Sequence, residues 1–154
     1  QAIPIVIAAQ SDEACRRAAR LNAGILFDSL QSPEVSKRLS SVYREAGGNG
    51  PVILIRRVWI GNPPASKIKA QMEHYHSYAS DRAKGNWIQG DSTILGQNGA
   101  QAAERLIKIL HDSECDTVNI RVHVAGLEAN QISEQLEKHK DDLVPLLKSD
   151  LRLN

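Results

Sequence analysis

The chain has 154 residues, 42% of them hydrophobic and 24% charged, which is enough for one domain with a real core and ordinary for a soluble globular protein. A formal net charge of +1 excludes the strong field that selects nucleic acid or a membrane surface. An aromatic content of only 4% excludes a stacking platform for single strands, and no apolar run is long enough to span a bilayer. The opening residues do not read as a signal peptide. The chain starts on Gln1 and enters a strand almost at once, as expected of a piece of something longer. Cys15 and Cys115 fit no metal or redox spacing, so reduced thiols in the cytoplasm are expected.

Residues 3–9 form a short apolar run that ends in the polar turn Gln10-Ser11. Ser11 followed by Asp12 and Glu13 reads as an N-cap with carboxylates at the positive end of a helix dipole. Ala14, Cys15, Ala18 and Leu21 recur at helical spacing, and Asn22 and Gly24 stop the helix. A second apolar run, Gly24–Phe27, ends in Asp28-Ser29. Ser32-Pro33 starts another helix, with proline at its first position and Val35, Leu39, Val42, Tyr43 and Ala46 as its stripe. Gly47-Gly48 ends it and Gly50-Pro51 turns the chain. Val52–Ile60 is the longest β-branched run, broken only by Arg56 and Arg57. After Gly61-Asn62-Pro63-Pro64 comes a helix with Ile68, Met72 and Tyr75 on one side.

Residues 81–98 hold Gly85, Gly90, Gly96 and an isolated Trp87, and read as an irregular connection or a binding loop. Gly99 leads into a helix that buries Ala102, Ala103, Leu106, Ile107 and Leu110. Residues 117–124 are a fourth strand. Residues 131–148 are a last helix, carrying Ile132, Leu136, Leu143 and Leu147 and kinked or ended by Pro145.

Four strands, each followed by a helix, make a parallel α/β fold in one domain over residues 1–154. An open doubly wound sheet and half of a (β/α)8 barrel both satisfy that count. In residues 117–124, Val118, Ile120, Val122 and Val124 share one face, and Asn119, Arg121 and His123 share the other. A strand covered by helices on both faces should be apolar on both, whereas a barrel strand can turn polar groups into the lumen. The half-barrel is therefore expected, with Asn119, Arg121 and His123 on the concave side and Arg57 approaching them. His123, Arg121 and Arg57 are the candidate catalytic residues, with His123 as an acid/base or a hydrogen-bonded lumen histidine. The segment Glu73-His74-Tyr75-His76 invites a metal reading, but residues two apart do not share a helix face, so no metal is expected. His111 and His139 read as solvated helix positions. There is no nucleophile elbow, no phosphate loop with a lysine and no catalytic carboxylate pair.

The opening IPIVIAAQSDEACRRAARLNAGILFDS resembles the middle strand–helix–strand of the bacterial luciferase-like flavin-dependent monooxygenases. There an apolar strand ends in a small-polar turn, followed by an Ala-Ala-Arg-rich helix and a Gly-containing strand. The segment Ile94-Leu95-Gly96-Gln97-Asn98-Gly99-Ala100-Gln101-Ala102-Ala103-Glu104-Arg105-Leu106 is similar to the family's late Gly, polar, helix element. Residues 117–124, and a helix ending Leu143-Val144-Pro145-Leu146-Leu147, are similar to its last strand and final helix. The likeness covers nearly the whole chain in the right order. It implies the C-terminal half of a TIM (β/α)8 barrel, strands five to eight, with the first four absent.

The resemblance also implies a cofactor, FMN or in some branches a deazaflavin, held at the C-terminal mouth of the barrel. Its phosphate would lie at the turn of Ala9, Gln10 and Ser11, with Ala14 facing it from the helix's first turn. Asp28 and Ser29 would fall where the next strand approaches the flavin, and His123 could touch it. Free amides at a helix N-terminus bind anions and Ser11 can donate a hydroxyl, while Asp12 and Glu13 would repel phosphate. The implied reaction is reduced-flavin activation of oxygen to oxidise a small organic substrate, or hydride transfer with the deazaflavin. Open strand edges predict pairing with an N-terminal half-barrel or with a second copy. The alternatives are a non-catalytic half-barrel association module or truncation product, and a small α/β phosphate-ligand binder using the same turn.

Overall fold

A computed structural model describes residues 3–88 and 92–150. In chain order these form β1 (Val6–Ala8), α1 (Asp12–Arg20), β2 (Gly24–Phe27), α2 (Pro33–Glu45), β3 (Val52–Ile60), α3 (Ala65–Tyr78) and α4 (Asp81–Gly85). There follow β4 (Ile94–Gly96), α5 (Gly99–Ser113), β5 (Thr117–Arg121), α6 (Ala129–Lys138), a π-helical turn (His139–Leu143) and α7 (Val144–Asp150). The strand order is β1-β2-β3-β4, with β5 also paired to β3. The chain divides into two compact units: one is the chain up to Arg56 with Ile109–Asn119, the other Arg57–Lys108 with the chain from Ile120 onward.

In the first unit, β1 runs parallel to β2 with Val6 opposite Gly24, and β2 runs parallel to β3 with Ile25 opposite Val52. The helices start where their capping residues dictate. Ser11 Oγ accepts the Ala14 N–H at 3.3 Å, and Ser32 Oγ accepts the Val35 N–H at 3.3 Å with Pro33 in the first turn. Ala14, Cys15, Ala18 and Ala19 form the buried stripe of α1. Tyr43, fully buried, donates to the Ala23 carbonyl at 2.8 Å and accepts the Gly50 N–H at 2.8 Å. The chain passes so close that a Cβ on Gly48 would lie 2.3 Å from the Tyr43 ring, so only glycine fits there. Asp116 closes the start of β3, its N–H donating to the Val52 carbonyl at 3.2 Å and its carboxylate accepting the Val52 N–H at 3.1 Å.

In the second unit, the end of β3 pairs in parallel with β4, Val58 opposite Ile94. β4 and α4 both arise inside residues 81–98, the stretch read above as irregular. Three residues of strand carry too little periodicity to be legible, and it is pairing with Val58–Ile60 that orders them. Gly90 of that stretch lies outside the described residues. The strand expected over 117–124 stops at Arg121.

The last helix also differs from expectation. It breaks at the π turn, where the Val144 N–H donates to the His139 carbonyl five residues back. Pro145 follows at once and has no N–H to continue the ladder, so the break precedes the proline that causes it. The buried positions there are Gln135, His139, Leu143 and Leu147, while Leu136 is 53% exposed. His139, expected to be solvated, is only 5% exposed. Among the described residues, no helix is long and apolar enough to cross a membrane.

Candidate functional site

The turn after β1 combines three features of an anion site. Ala9 is fully buried, and its N–H donates to the Leu26 carbonyl at 3.2 Å, which pins the end of the strand. Ser11 caps α1, whose first amides have no partner within the helix and whose dipole places positive charge at this end. Ser11 Oγ acts as an acceptor toward Ala14, so its proton remains to be donated elsewhere. Ala14 spends its amide on Ser11 Oγ and its methyl in the buried stripe, so the amides of this first turn left without a partner among the described residues are those of Asp12 and Glu13.

The two carboxylates of the same helical turn are both engaged. Asp12 bonds Arg38, whose guanidinium holds its carboxyl below the usual carboxylate range, and Glu13 pairs with Arg20 at 3.0 Å. These pairs are exposed and screened. They nonetheless place an arginine against each carboxylate that would repel an anion.

Asp28 and Ser29 are tied into the same corner. Asp28 Oδ1 accepts the N–H groups of Leu30 at 2.7 Å and Gln31 at 2.9 Å, while Oδ2 accepts Gln10 Nε2 at 2.7 Å. Behind this loop lies Arg56, fully shut off from solvent. Its Nη1 donates to the carbonyls of Asp28, Ser29 and Ile55 at 3.3, 3.2 and 2.9 Å, and its Nη2 to the Gln31 carbonyl at 2.7 Å. Burial pushes the Arg56 pKa down to about 10, with Cys115 and Asp28 acting the other way. It therefore stays charged at neutral pH. Gln10 thus meets Asp28, a contact the sequence reading does not contain, and Arg56, which holds the loop of residues 28–31, is a residue that reading misses. Its only signal was a charge inside a β-branched run.

The candidate catalytic residues lie in the second unit. Arg57 is 4% exposed, and its Nε donates to the main-chain carbonyl of His123 at 3.1 Å, while Nη1 has no partner among the described residues. Arg57 therefore reaches the backbone of His123 and leaves the imidazole free. Arg121 and His123 are exposed and Val122 and Val124 are buried, so the alternation read from the sequence is present. Near the end of β3, Pro63, Ile68, Met72 and Leu95 line an apolar cleft of about 320 Å³, with Lys69 and His76 among its polar lining. His74 and His76 are exposed on α3, edge-on to Tyr78 and Trp87 at 5.3 and 5.1 Å. Among the described residues, no group of side chains could hold a metal ion.

No family model matches the chain, and no curated protein matches it. Solved structures do. Monooxygenase RslO1 from Streptomyces bottropensis superposes with a TM-score of 0.63 at 13% identity, over 92% of this chain and 47% of its own. Apo-MsnO8 gives 0.57 at 12% identity, over 100% of this chain and 52% of its own. The EDTA monooxygenase EmoA from Chelativorans sp. BNC1 gives 0.54 at 17% identity, over 95% and 46%. The chain therefore spans about half the length of these structures. At such identities the likeness shows the fold alone, a parallel β/α half-barrel that matches about half of each of these chains.

Proposed function

We propose that this chain is part of a flavin-dependent oxidoreductase or monooxygenase acting on a small organic substrate, to which it contributes the flavin-phosphate turn and residues of the barrel mouth. The observation that carries the reading is the Ala9–Ser11 turn at the C-terminal end of β1. It offers helix-terminal amides and a free hydroxyl proton, and it sits beside carboxylates already engaged by arginines. That donor set fits the phosphate of FMN, or of a deazaflavin. Bound flavin would supply the redox chemistry.

The chain's own residues have simpler tasks. Gln10 and Ser11 would hold the phosphate, Ala9 and Ala14 would fix the turn through their own hydrogen bonds to Leu26 and Ser11, and Asp28 and Ser29 would shape the adjoining corner. His123, exposed, could hold or release a proton at the mouth. Arg121 beside it and the spare Nη1 of Arg57 would stabilise negative charge. The expected location is the cytoplasm, and the whole activity would need the remainder of the barrel.

The test is flavin titration by fluorescence, with the complementary half supplied where the chain alone does not bind. Ser11→Asp removes the donor and adds repulsion, so it should weaken FMN at least about tenfold, since such charge-assisted bonds are worth roughly 1.5–3 kcal/mol. The fold should survive, because Asp caps a helix as well as Ser. Equal affinity of parent and variant would remove the phosphate from this turn and move it to the Gly96–Gly99 turn.

One observation favours association as a second reading. Ile3, Ile5 and Val6, at and before β1, are 86%, 65% and 37% exposed, and β1 ends the strand order. An N-terminal half-barrel or a second copy would cover them. A stable monomer at micromolar concentration in sedimentation would count against it.

A further inference from the structure

Two recesses adjoin in the second unit, where the turn after β3, α3 and β4 come together, and Pro63 and Leu95 line both. The first is the apolar cleft of about 320 Å³, within the range of roughly 300–1,000 Å³ usual for small-molecule pockets. Its floor is Ile68 and Met72, 3% and 9% exposed, one turn apart on the same face of α3. On its rim Lys69 faces Glu73 at 3.9 Å, so these two charges offset each other. The second recess, about 150 Å³, is lined by Gln97, Gln101 and Arg105 with the turns at Gly61 and Gly96. Arg105 is the one charged residue of its described lining. The Arg105 Nη1 donates to the carbonyl of Leu95, which anchors the guanidinium at a residue that both recesses share. Among the described residues it makes no other bond, so the Nε–Nη2 edge keeps two parallel donors. Gln101 Oε1 accepts the Gln97 N–H at 3.0 Å, which leaves its Nε2 to donate.

We propose that the two recesses form one site for an elongated organic monocarboxylate, its apolar body in the cleft and its carboxylate on Arg105 and Gln101. An apolar chain gains by leaving water against Ile68, Met72 and Leu95. A carboxylate matches the fork of a guanidinium, oxygen for N–H, and the Gln101 amide adds a further donor. The charge count fits a single negative head, because Arg105 supplies one positive charge and Lys69 is already offset by Glu73. A chain without a charged head leaves the Arg105 edge unused, and a small anion without a chain leaves the cleft unfilled. The Ala9–Ser11 turn belongs to the first unit and takes no part, so this assignment is independent of the flavin reading.

The probes are octanoate, octanol and acetate, titrated into the full chain and followed by the backbone amide signals of residues 63–76 and 95–105. Octanoate should bind at least about tenfold more tightly than either of the others, as one charge-assisted bond allows. Added salt should weaken octanoate and leave octanol unchanged. Arg105→Gln should bring octanoate down to the octanol affinity, and Arg105→Lys should restore part of the difference. Lys69→Gln should change neither. Ala65 is exposed and lines the cleft, so Ala65→Trp spares the core and should weaken octanoate and octanol alike by about tenfold. If octanoate does not move these amides in the parent chain, there is no such site. Equal affinities for octanoate and octanol, or a preference that survives Arg105→Gln and is lost in Lys69→Gln, would overturn Arg105 as the anion end. Unchanged binding in Ala65→Trp would overturn the cleft as the place of the chain.

Discussion

Gln135 pairs with Ile60 as though it were a neighbouring strand. Its Oε1 accepts the Ile60 N–H at 2.9 Å and its Nε2 donates to the Ile60 carbonyl at 2.9 Å. The side chain is 2% exposed, so it satisfies two backbone groups that no water could reach. Gln135→Leu keeps the bulk and removes both bonds. It should destabilise the chain by about 2–4 kcal/mol, since each buried orphan costs about 1–3 kcal/mol. Urea unfolding would measure it, and a loss below about 1 kcal/mol would mean that Ile60 finds other partners.

Arg56 should behave as a bolt. Arg56→Met leaves the carbonyls of Asp28, Ser29 and Gln31 without their donor and should cost at least about 3 kcal/mol. Arg56→Lys should recover little of this, because one ammonium cannot span carbonyls that a planar fork reaches. Full recovery by lysine in thermal and urea melts would show that charge, and not geometry, is what the site requires.

Acid should weaken the fold through His139. Burial lowers its pKa from the ordinary value of 6.5, and a main-chain hydrogen bond to Val58 opposes this only in part. The unfolded chain then takes up a proton that the native chain refuses. Stability is full above about pH 6.5 and declines as pH falls toward the depressed native value, by at most about 1.4 kcal/mol per pH unit. Comparing urea midpoints at pH 7.5 and 5.5, the parent should lose more than His139→Leu. Equal losses would assign the acid sensitivity to other groups.

Two glycines should respond oppositely to alanine. On Gly99 a Cβ would sit 2.4 Å from the Asp142 carbonyl oxygen, part of the π turn, and backbone cannot step aside as a flexible side chain would. Gly99→Ala should cost about 1–3 kcal/mol as an overpacked contact. A Cβ on Gly85 meets none of the described residues within 4 Å, so Gly85→Ala at the end of α4 should be neutral or stabilise by up to about 1 kcal/mol. Thermal melts of the two variants side by side would decide it.

Much of the local structure was legible in the chain itself. Ser11 and Ser32 cap the helices they were expected to cap, and Ala102, Ala103, Leu106 and Leu110 are buried as their spacing predicts. The turn of Ala9, Gln10 and Ser11 could be placed at a helix start from residue types alone. In the last helix the expected stripe failed by one position. Leu136 is out while Gln135 and His139 are in, because an amide that completes a strand edge is worth more inside than a leucine.

What the sequence by itself determined is therefore what short-range rules govern: caps, stripes, breakers and the parallel β/α order, each set by a few consecutive residues. The tertiary structure alone decided which polar groups share a corner. Nothing in the spacing of Gln10, Asp28 and Arg56 says that they meet, since they sit on three successive segments and touch only once β1, β2 and β3 are in register. Register is a long-range property of paired strands, and it turns a charge in a β-branched run into the clamp of a loop.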